Sequence, residues 1–406
     1  MTIPKRLRFA PYWYLITFFL LGAAVLLIIH WVTGFTPNRA AIHIPALNFD
    51  IYWYGIWIVG GISLGAYVVA QLVEERGTAV FHTHVPARTR QLPLSTLDLP
   101  DEIQAILRKN KLDSVGNLLR QWGFDRRYLG LNADGMETVR QALARTPGVK
   151  AAWLDDAPWR AWNPDHVWNG IIWVMILAVL GARLYHVLTP SPSMAAVGIT
   201  SPLDYLRNPY KVFDFRSGGL GIYGGIAGGA LGLWLYARRQ RISMIALADY
   251  AVIGLALGQV FGRWGNFFNQ ELYGRPTTVP WAITIDPLYR LPAYSEFARF
   301  HPAFLYESLW SLLTFITLMT LLRRFQPKLL TGDLMALYLI FYAIGRTLLE
   351  TVRLDSRTMN LGGLELNMAV ATFVSLLLAM GMGLWMVARH RRNRAPGVGR
   401  RRKTKR

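Results

Sequence analysis

The chain contains no cysteine. This absence excludes disulfide bonds, thiolate metal ligands and a cysteine nucleophile supplied by the protein itself. Acidic residues are also scarce, because 24 Asp and Glu stand against 44 Lys and Arg and leave a formal net charge of +20. At the same time, 53% of the 406 residues are hydrophobic. Soluble domains rarely combine so apolar a composition with so large a charge. The composition therefore predicts a membrane protein.

Long apolar runs indicate how often the chain crosses a membrane. A stretch of about 20 apolar residues spans the hydrocarbon core of a bilayer. Eight such stretches occur, at residues 11–32, 51–72, 167–188, 218–236, 242–262, 302–322, 332–352 and 366–388. We predict an all-α, polytopic membrane helix bundle of about eight transmembrane helices. The first run is long for a signal peptide and no clear cleavage site follows it before Trp31, which favours a retained signal-anchor helix.

Basic residues predict the orientation, because Lys and Arg gather on cytoplasmic loops. Basic residues precede the first run, follow the fourth and sixth runs, and fill the tail 389–406, which has ten Lys and Arg and no acid. This pattern predicts that both termini are cytoplasmic. It places four loops on the outer side, at 33–50, 189–217, 264–301 and 353–365. For the basic tail we favour binding to anionic lipid headgroups over binding to nucleic acid.

A polar insertion interrupts the spans. Apolar residues recur at helical spacing within 95–146, and Ser114 and Asp134 are predicted N-caps. This bundle resembles the helix-hairpin-helix type of domain at the C-terminus of the bacterial RNA polymerase alpha subunit. Members of that group often bind DNA, but residues 74–166 hold thirteen Lys and Arg against twelve Asp and Glu, a net of only +1. Because DNA binding relies on an excess of cations, we expect a structural module or a protein partner, and no nucleic acid.

These features divide the chain into four predicted parts. They are an extra N-terminal helix with the first core helix (1–72), a cytoplasmic inserted helical domain (73–166), a transmembrane core (167–388) and a basic cytoplasmic tail (389–406).

The stretch FGRWGNFFNQELYGRP, residues 261–276, places polar side chains at the outer end of the fifth span. Arg263 and Asn266 are three residues apart, so they share one face of a helix. An ionisable group at that depth is costly and is a candidate for a functional site. The glycines of the stretch allow another backbone or a lipid to come close. An arginine that only reaches to the interface is the structural alternative.

A second polar stretch, GRTLLETVR, ends the seventh span. Arg346, Glu350 and Arg353 stand at i, i+4 and i+7, which predicts one continuous helical face. The carboxylate can pair with an arginine and fix the position of its guanidinium. A purely structural salt bridge would also explain this trio.

Further polar or aromatic side chains fall at the same predicted membrane face, in the segments YWYGIWIVGG, GARLYHVL, RSGGLGIYGGIAGG and FHPAFLYESLW. They are Tyr54, Arg183, Tyr223, His301, Tyr306 and Glu307. We predict a cationic pocket in the outer leaflet, lined by glycine and aromatic residues. Guanidinium groups match phosphate bidentately, so a phospholipid headgroup is the expected ligand.

Together these motifs resemble the bacterial prolipoprotein diacylglyceryl transferase family, and GRWGNFFNQELYG is the most specific of them. The resemblance implies transfer of diacylglyceryl from phosphatidylglycerol to the lipobox cysteine thiol of a prolipoprotein, with release of glycerol phosphate, in the bacterial cytoplasmic membrane. It implies prolipoprotein signal peptides and membrane lipids as partners and no cofactor or metal. The expected catalytic residues are Arg263, Arg346, Tyr223, His301 and Glu350. The expected substrate-binding residues are Arg263, Asn266, Glu271, Gly274, Tyr54, Arg353 and Arg183.

Two departures from the family pattern concern the chemistry and the architecture. Tyr223 stands where many members have a histidine, and a tyrosine holds its proton more tightly than a histidine. The proton acceptor is therefore open between Tyr223, His301 and a lipid phosphate oxygen. The family core also has seven spans, so the first helix and the bundle at 95–146 are additions. The competing hypothesis is a non-enzymatic protein that binds or moves phospholipids.

The orientation predicts the accessibility of engineered cysteines. A cysteine at Ser114 should resist an impermeant thiol reagent in intact cells, because the insertion is cytoplasmic, whereas one at Thr278 should react. The natural chain supplies no background thiol. The reverse labelling would overturn both the topology and the position of the pocket.

Overall fold

The computed structural model describes residues 10–190, 194–195, 198–214, 219–354, 358–361 and 364–394. Within them the helices, in chain order, are α1 (Pro11–Thr33), α2 (Trp53–His84), α3 (Ala87–Gln91), α4 (Asp101–Lys109), α5 (Val115–Phe124), α6 (Ala133–Arg145), α7 (Ala151–Asp155), α8 (Asp165–Leu188), α9 (Pro202–Arg207), α10 (Ile222–Arg239), α11 (Met244–Asn269), α12 (Ala303–Phe325), α13 (Asp333–Glu350) and α14 (Val370–Arg394).

The strands are short and form three antiparallel pairs. They are β1 (Ala40–Ile44) with β2 (Phe49–Tyr52), β3 (Ile283–Thr284) with β4 (Arg299–Phe300), and β5 (Thr358–Leu361) with β6 (Leu364–Ala369). The described chain forms two compact units. The first comprises the described parts of Met1–Val69 and Ile245–Arg406, and the second comprises those of Ala70–Met244. The four-part division predicted from the sequence stays a prediction.

The all-α, polytopic architecture is confirmed. Six helices of the described chain are long and apolar enough to cross a membrane, and they correspond to α1, α2, α8, α11, α12 and α14. The two other predicted spans form α10 and α13, with 18 residues each. A helix of that length covers about 27 Å, slightly less than the hydrocarbon core of about 30 Å. Glycines in α10 and charged residues in α13 also lower the apolarity of these two helices.

The inserted segment of the second unit has its own hydrophobic core. Leu107, Leu118, Leu129 and Val139 have no exposed surface, and they come from α4, α5, the turn after α5, and α6. The helical spacing read from the sequence identified most of this core, although Ile106, which has the same spacing, is 36% exposed. Tryptophans outside the predicted bundle, such as Trp159, complete this core.

One of the two N-caps predicted in this segment is confirmed. Ser114 caps α5 as predicted, because its hydroxyl accepts a hydrogen bond from the Asn117 amide at 3.1 Å. The prediction for Asp134 is wrong. Asn132 caps α6 by accepting from the Gly135 amide at 2.8 Å, so Asp134 lies in the first turn instead. A carboxylate is stabilising there as well, through the helix dipole.

In the first unit, glycines allow α2 and α11 to pack backbone against backbone. A Cβ atom at Gly61 would lie 2.9 Å from the Gly258 carbonyl oxygen, and one at Gly65 would lie 2.5 Å from that of Gly254. Such small residues let membrane helices approach closely. This close packing places the first turns of α2 against the C-terminal half of α11.

The start of α13 is fixed by a buried carboxylate. Asp249 of α11 accepts hydrogen bonds from the backbone amides of Gly332 at 2.5 Å and Met335 at 2.9 Å. Asp333 in turn accepts from the Leu330 amide at 2.7 Å and contacts His390 Nε2 of α14 at 2.8 Å. Carboxylates satisfy the free amides of a helix N-terminus and suit its dipole. The helix that carries Arg346 is therefore fixed at its first turn.

In the second unit, glycines of α10 face α8. A Cβ atom at Gly228 would overlap the Leu177 carbonyl oxygen, whereas one at Gly225 would make ordinary contacts, at 3.6 Å from Ala182 Cβ. Gly225 therefore has room for a methyl side chain and Gly228 does not, although both lie in the same helix.

This difference gives a matched pair of variants. Gly228→Ala should destabilise the protein by about 1–3 kcal/mol, the usual cost of overpacking. Gly225→Ala should leave stability unchanged or raise it, because alanine is the better helix former. The thermal unfolding midpoints of the two variants in detergent would measure the difference. Equal midpoints would contradict the tight packing at Gly228.

Candidate active site

Arg263 and Glu307 form the centre of the site in the first unit. Arg263 lies near the C-terminal end of α11, and its Nε atom is 2.5 Å from Oε2 of Glu307. Glu307 lies in the first turns of α12 and is only 9% exposed. A charge buried to this extent requires a partner. The pair therefore joins α11 to α12.

Glu307 also holds a second arginine. Its Oε1 atom accepts a hydrogen bond from Arg353 Nη1 at 3.2 Å. The predicted helical face through Arg353 is wrong, because α13 ends at Glu350 and the chain turns at Thr351. Arg353 therefore reaches α12 from beyond the helix.

Within α13, the predicted pairing of Arg346 with Glu350 is present. Arg346 Nη1 lies 2.7 Å from Glu350 Oε2, across one helical turn. Both carboxylate oxygens of Glu350 are buried, and neither has a hydrogen bond with good geometry among the described residues. The contact is therefore an ion pair that leaves acceptor positions on the carboxylate.

The loop after α11 is strained around Glu271. Gln270 and Leu272 have φ values of 49° and 52°, in the left-handed region that non-glycine residues seldom adopt. Between them, the Glu271 carboxylate accepts hydrogen bonds from the side-chain amides of Asn266 and Asn269, each at 3.1 Å. Residues in such conformations persist only where their surroundings hold them, and they cluster at functional sites.

Gly274 brings three segments of the site together. Its amide donates to the His301 carbonyl at 2.9 Å, and it forms a bridge with Arg353. A Cβ atom there would lie 2.7 Å from the Val352 carbonyl oxygen and 2.8 Å from His301 Cβ. Only glycine fits this position. The loop after α11, the start of α12 and the turn after α13 therefore converge at Gly274.

His301 belongs to a chain of hydrogen bonds. The Trp281 indole N–H donates to the Tyr306 hydroxyl at 2.8 Å, and that hydroxyl lies 3.0 Å from His301 Nδ1. An indole can only donate, so the arrangement favours donation of the Tyr306 proton to Nδ1. Burial lowers the pKa of His301. The neutral imidazole then carries its proton on Nε2.

Tyr54 lies at the start of α2 and packs against α11. A Cβ atom at Gly265 would be 2.6 Å from Tyr54 Cδ2. The Tyr54 hydroxyl is within electrostatic range of Glu271 and Arg263. Tyr54 thus belongs to the first unit, as do most of the predicted residues, namely Arg263, Asn266, Glu271, Gly274, His301, Arg346, Glu350 and Arg353. Ion pairs join Arg263 and Arg353 through Glu307, and a separate ion pair joins Arg346 to Glu350.

Arg183 and Tyr223 belong to the second unit. Arg183 is only 3% exposed, and its guanidinium donates to the carbonyl oxygens of Val212 at 2.7 Å and Gly219 at 3.0 Å, and also to those of Lys211 and Asp214. It therefore holds the segment before α10. Tyr223 is exposed in the first turn of α10, with its ring centroid 5.8 Å from that of Tyr185. Their roles toward a substrate stay predictions.

The sequence analysis placed Glu307 and Tyr306 at the membrane face of the predicted pocket but gave neither residue a catalytic or substrate-binding role. The signal available was a carboxylate and a tyrosine in the first turns of an otherwise apolar helix, directly after His301. Chemically, the site offers guanidinium groups held still by carboxylates, an arrangement that suits phosphate. Among the described residues, no group of three or more His, Asp or Glu side chains is arranged to hold a metal ion.

Comparison with known proteins agrees with the motifs. The profile of the family described as prolipoprotein diacylglyceryl transferase matches residues 146–388. Three phosphatidylglycerol–prolipoprotein diacylglyceryl transferases are similar to the chain. The protein of Chloroflexus aggregans is 39% identical over 57% of this chain and 78% of its own length. That of Gloeobacter violaceus is 39% identical over 59% and 84%. That of Frankia alni is 46% identical over 47% of each chain.

The lowered pKa of His301 predicts a pH dependence of stability. In the unfolded chain the imidazole has its usual pKa of about 6.5, so the unfolded state binds the proton more readily than the folded state. The stability that this group contributes is therefore present above about pH 6.5 and is lost as the pH falls through the lower folded-state pKa. His301→Gln, which does not titrate, should lose less of its thermal midpoint than the wild type on acidification.

The exposed residue His84 offers the control for this measurement. His84→Gln should follow the wild type at every pH. An acid-induced decrease that is the same in the wild type and in His301→Gln would contradict a lowered pKa of His301 in the folded state.

Proposed function

The chain belongs to the prolipoprotein diacylglyceryl transferase family, and we propose that its reaction takes place between two groups of paired charges, Arg263–Glu307–Arg353 and Arg346–Glu350, which together form the proposed arginine cluster. The protein is an enzyme that transfers the diacylglyceryl group of phosphatidylglycerol to a prolipoprotein. The observation that carries the proposed location is the double pairing of Glu307, at 2.5 Å to Arg263 and 3.2 Å to Arg353. It supports a phosphate site with preorganised guanidinium groups.

The proposed step is a displacement at the glycerol carbon that bears the phosphate ester. The thiolate of the acceptor cysteine forms the new carbon–sulfur bond while the carbon–oxygen bond breaks. The electron pair of that bond leaves with the phosphate oxygen, and glycerol phosphate departs. Negative charge therefore grows on the phosphate in the transition state. Arg263 and Arg346 stabilise this charge, and preorganised donors of this kind are where electrostatic catalysis is largest.

The carboxylates act on the arginines rather than on the lipid. Glu307 and Glu350 restrict the guanidinium groups to one orientation, so little reorganisation is needed when charge develops. Arg353 shares Glu307 with Arg263, and we assign it to phosphate binding. Asn266 and Asn269 hold Glu271 in the strained loop, which places the loop for contact with the glycerol headgroup.

The proton of the acceptor thiol needs a base. His301 receives a hydrogen bond at Nδ1 and carries its proton on Nε2, so it suits the role of a donor to the substrate better than that of a base. Two candidates remain, the exposed hydroxyl of Tyr223 and an oxygen of the lipid phosphate. Arg183, which is occupied by backbone carbonyls, would position the segment before α10.

The location of the reaction follows from the charge pattern. Basic residues cluster before α1, after α10, after α12 and after α14. By the tendency of such clusters to stay in the cytoplasm, both termini are cytoplasmic and the site faces the outer side of the bacterial cytoplasmic membrane. That face is where an exported signal peptide would present its cysteine. The bundle between α3 and α7 would then be free to contact a cytoplasmic protein.

The activity is tested with purified protein in vesicles that contain phosphatidylglycerol, together with a prolipoprotein signal peptide that holds one cysteine. Mass spectrometry should detect a thioether-linked diacylglyceryl adduct and an equivalent of glycerol phosphate. The same protein should rescue a bacterial strain depleted of its own transferase. A well-folded protein that gives neither result would overturn the enzymatic assignment in favour of lipid binding alone.

Conservative replacement of the arginines tests the proposed clamp. Arg263→Lys and Arg346→Lys keep the charge but lose the planar fork of donors. Each should lower kcat by about 10²- to 10³-fold, the usual cost of one preorganised donor. Arg299→Lys, at an exposed residue of strand β4, is the control and should keep full activity. Near-normal rates for both cluster variants would show that these arginines only anchor the helices.

A further inference from the structure

A groove of about 850 Å³ opens beside the β1–β2 hairpin in the first unit. Its volume lies within the usual range of ligand sites, about 300–1,000 Å³. One wall is the whole of strand β2, and another is the first turns of α2, including Gly55 and Val59. Arg39 and Asn269 contribute polar groups. The groove is thus mostly apolar with a few polar groups, and the mechanism proposed above does not use it.

The groove follows the edge of strand β2. Side chains of a strand alternate between its two faces, yet all four residues of Phe49–Tyr52 line the groove. Neither face alone can account for this, so the groove runs along the backbone edge. β2 pairs only with β1 in a two-stranded sheet of the described chain. Its other edge is therefore open to a further strand.

Arg39 lines the same groove and is held in place by two neighbours. Its Nη2 atom donates to the Asn269 carbonyl at 2.6 Å, and its guanidinium carbon lies 3.8 Å from the centroid of the Tyr289 ring. Arg39 is only partly buried. A guanidinium N–H that these contacts do not use can therefore donate to a carbonyl oxygen of a ligand.

The groove is continuous with the candidate active site. Asn269 lines the groove and also donates its side-chain amide to Glu271 at 3.1 Å. Tyr54 lines it as well and packs against Gly265, two residues from Arg263. A ligand that lies along β2 would therefore end beside the proposed reaction centre.

We propose that this groove binds the prolipoprotein in extended form, as an additional strand along β2, and so delivers the acceptor cysteine to the arginine cluster. The proposal rests on the transferase activity assigned above. β2 has four residues and spans about 13 Å at the usual strand rise, so it fits about four residues of peptide next to the cysteine. Main-chain hydrogen bonds would give affinity, and the apolar wall would select small or apolar side chains.

The chemistry of the groove favours a peptide over a second phospholipid. Acyl chains have no groups to pair with the open edge of a strand. Asp50 also lines the groove, and its carboxylate, which contacts His43 Nδ1 at 2.7 Å, offers no donor to a phosphate. Arg39 can instead donate to the backbone carbonyls of a peptide. Phosphate binding is already accounted for by the arginine cluster.

Two glycines of α2 provide a matched test. Gly55 lines the groove and Gly60 does not, and a Cβ atom at either position would meet nothing within 4 Å. Gly55→Leu therefore fills the groove without disturbing the fold, and Gly60→Leu is the control. In the vesicle assay, Gly55→Leu should raise KM for the signal peptide about tenfold, a loss of about 1.4 kcal/mol. KM for phosphatidylglycerol should stay within about twofold, and Gly60→Leu should resemble the wild type.

Three other outcomes for Gly55→Leu would contradict the proposal. A rise in KM for phosphatidylglycerol alone would mean that the groove holds lipid. Unchanged constants for Gly55→Leu would mean that it holds neither substrate. A fall in kcat with both KM values unchanged would assign Gly55 to chemistry rather than to peptide binding.

Photocrosslinking separates the groove from the activity. A benzophenone amino acid at Phe49, which lines the groove and is 53% exposed, should crosslink to the signal peptide, whereas one at Phe35, which is 59% exposed and outside the groove, should not. The readout does not require turnover. Crosslinking at Phe49 without thioether formation would support peptide binding in the groove and contradict the transferase activity. Thioether formation without crosslinking would support the activity and contradict peptide binding in the groove.

Discussion

A guanidinium group placed among apolar helices needs a counter-charge, because the cost of an unpaired buried ion exceeds most other terms in folding. Glu307 meets this requirement for Arg263 and Arg353 at once. A single carboxylate thereby joins α11, α12 and the turn after α13. The glycine packing of α2 on α11 and the anchoring of α13 by Asp249 bring these parts to the positions that the pairing requires.

Interactions within one helix were predictable from the sequence, because the geometry of a helix is known in advance. The spacing of Arg346 and Glu350 was sufficient to predict their ion pair. The helical spacing of apolar residues likewise identified most of the core of the inserted bundle. The membrane class followed from composition and apolar runs. The motifs identified the family, because each combines rare residue types at fixed spacing.

Interactions that depend on where a helix ends could not be predicted. The sequence predicted that α13 continues to Arg353 and that Arg353 shares a helical face with Arg346 and Glu350. The helix ends at Glu350, and nothing in the sequence marks the turn at Thr351. Arg183 was expected among the substrate-binding groups on account of its place at the end of a span. That role stays a prediction. The hydrogen bonds from its guanidinium to the carbonyl oxygens of a loop about 30 residues away could not be predicted, because irregular backbone of that kind has no periodic signal in a sequence.

Because α13 is anchored at its first turn, the number of residues in this helix determines the direction in which Arg346 points around the helix axis. Asp333 and Arg346 are separated by thirteen positions, or about 20 Å at the helical rise. One inserted residue between them would turn Arg346 by about 100° around the axis, away from the other groups of the cluster. Surface loops of this protein can change length at little cost. In α13, by contrast, even an insertion of one whole turn would displace Arg346 by about 5 Å along the axis, away from its proposed place beside the phosphate.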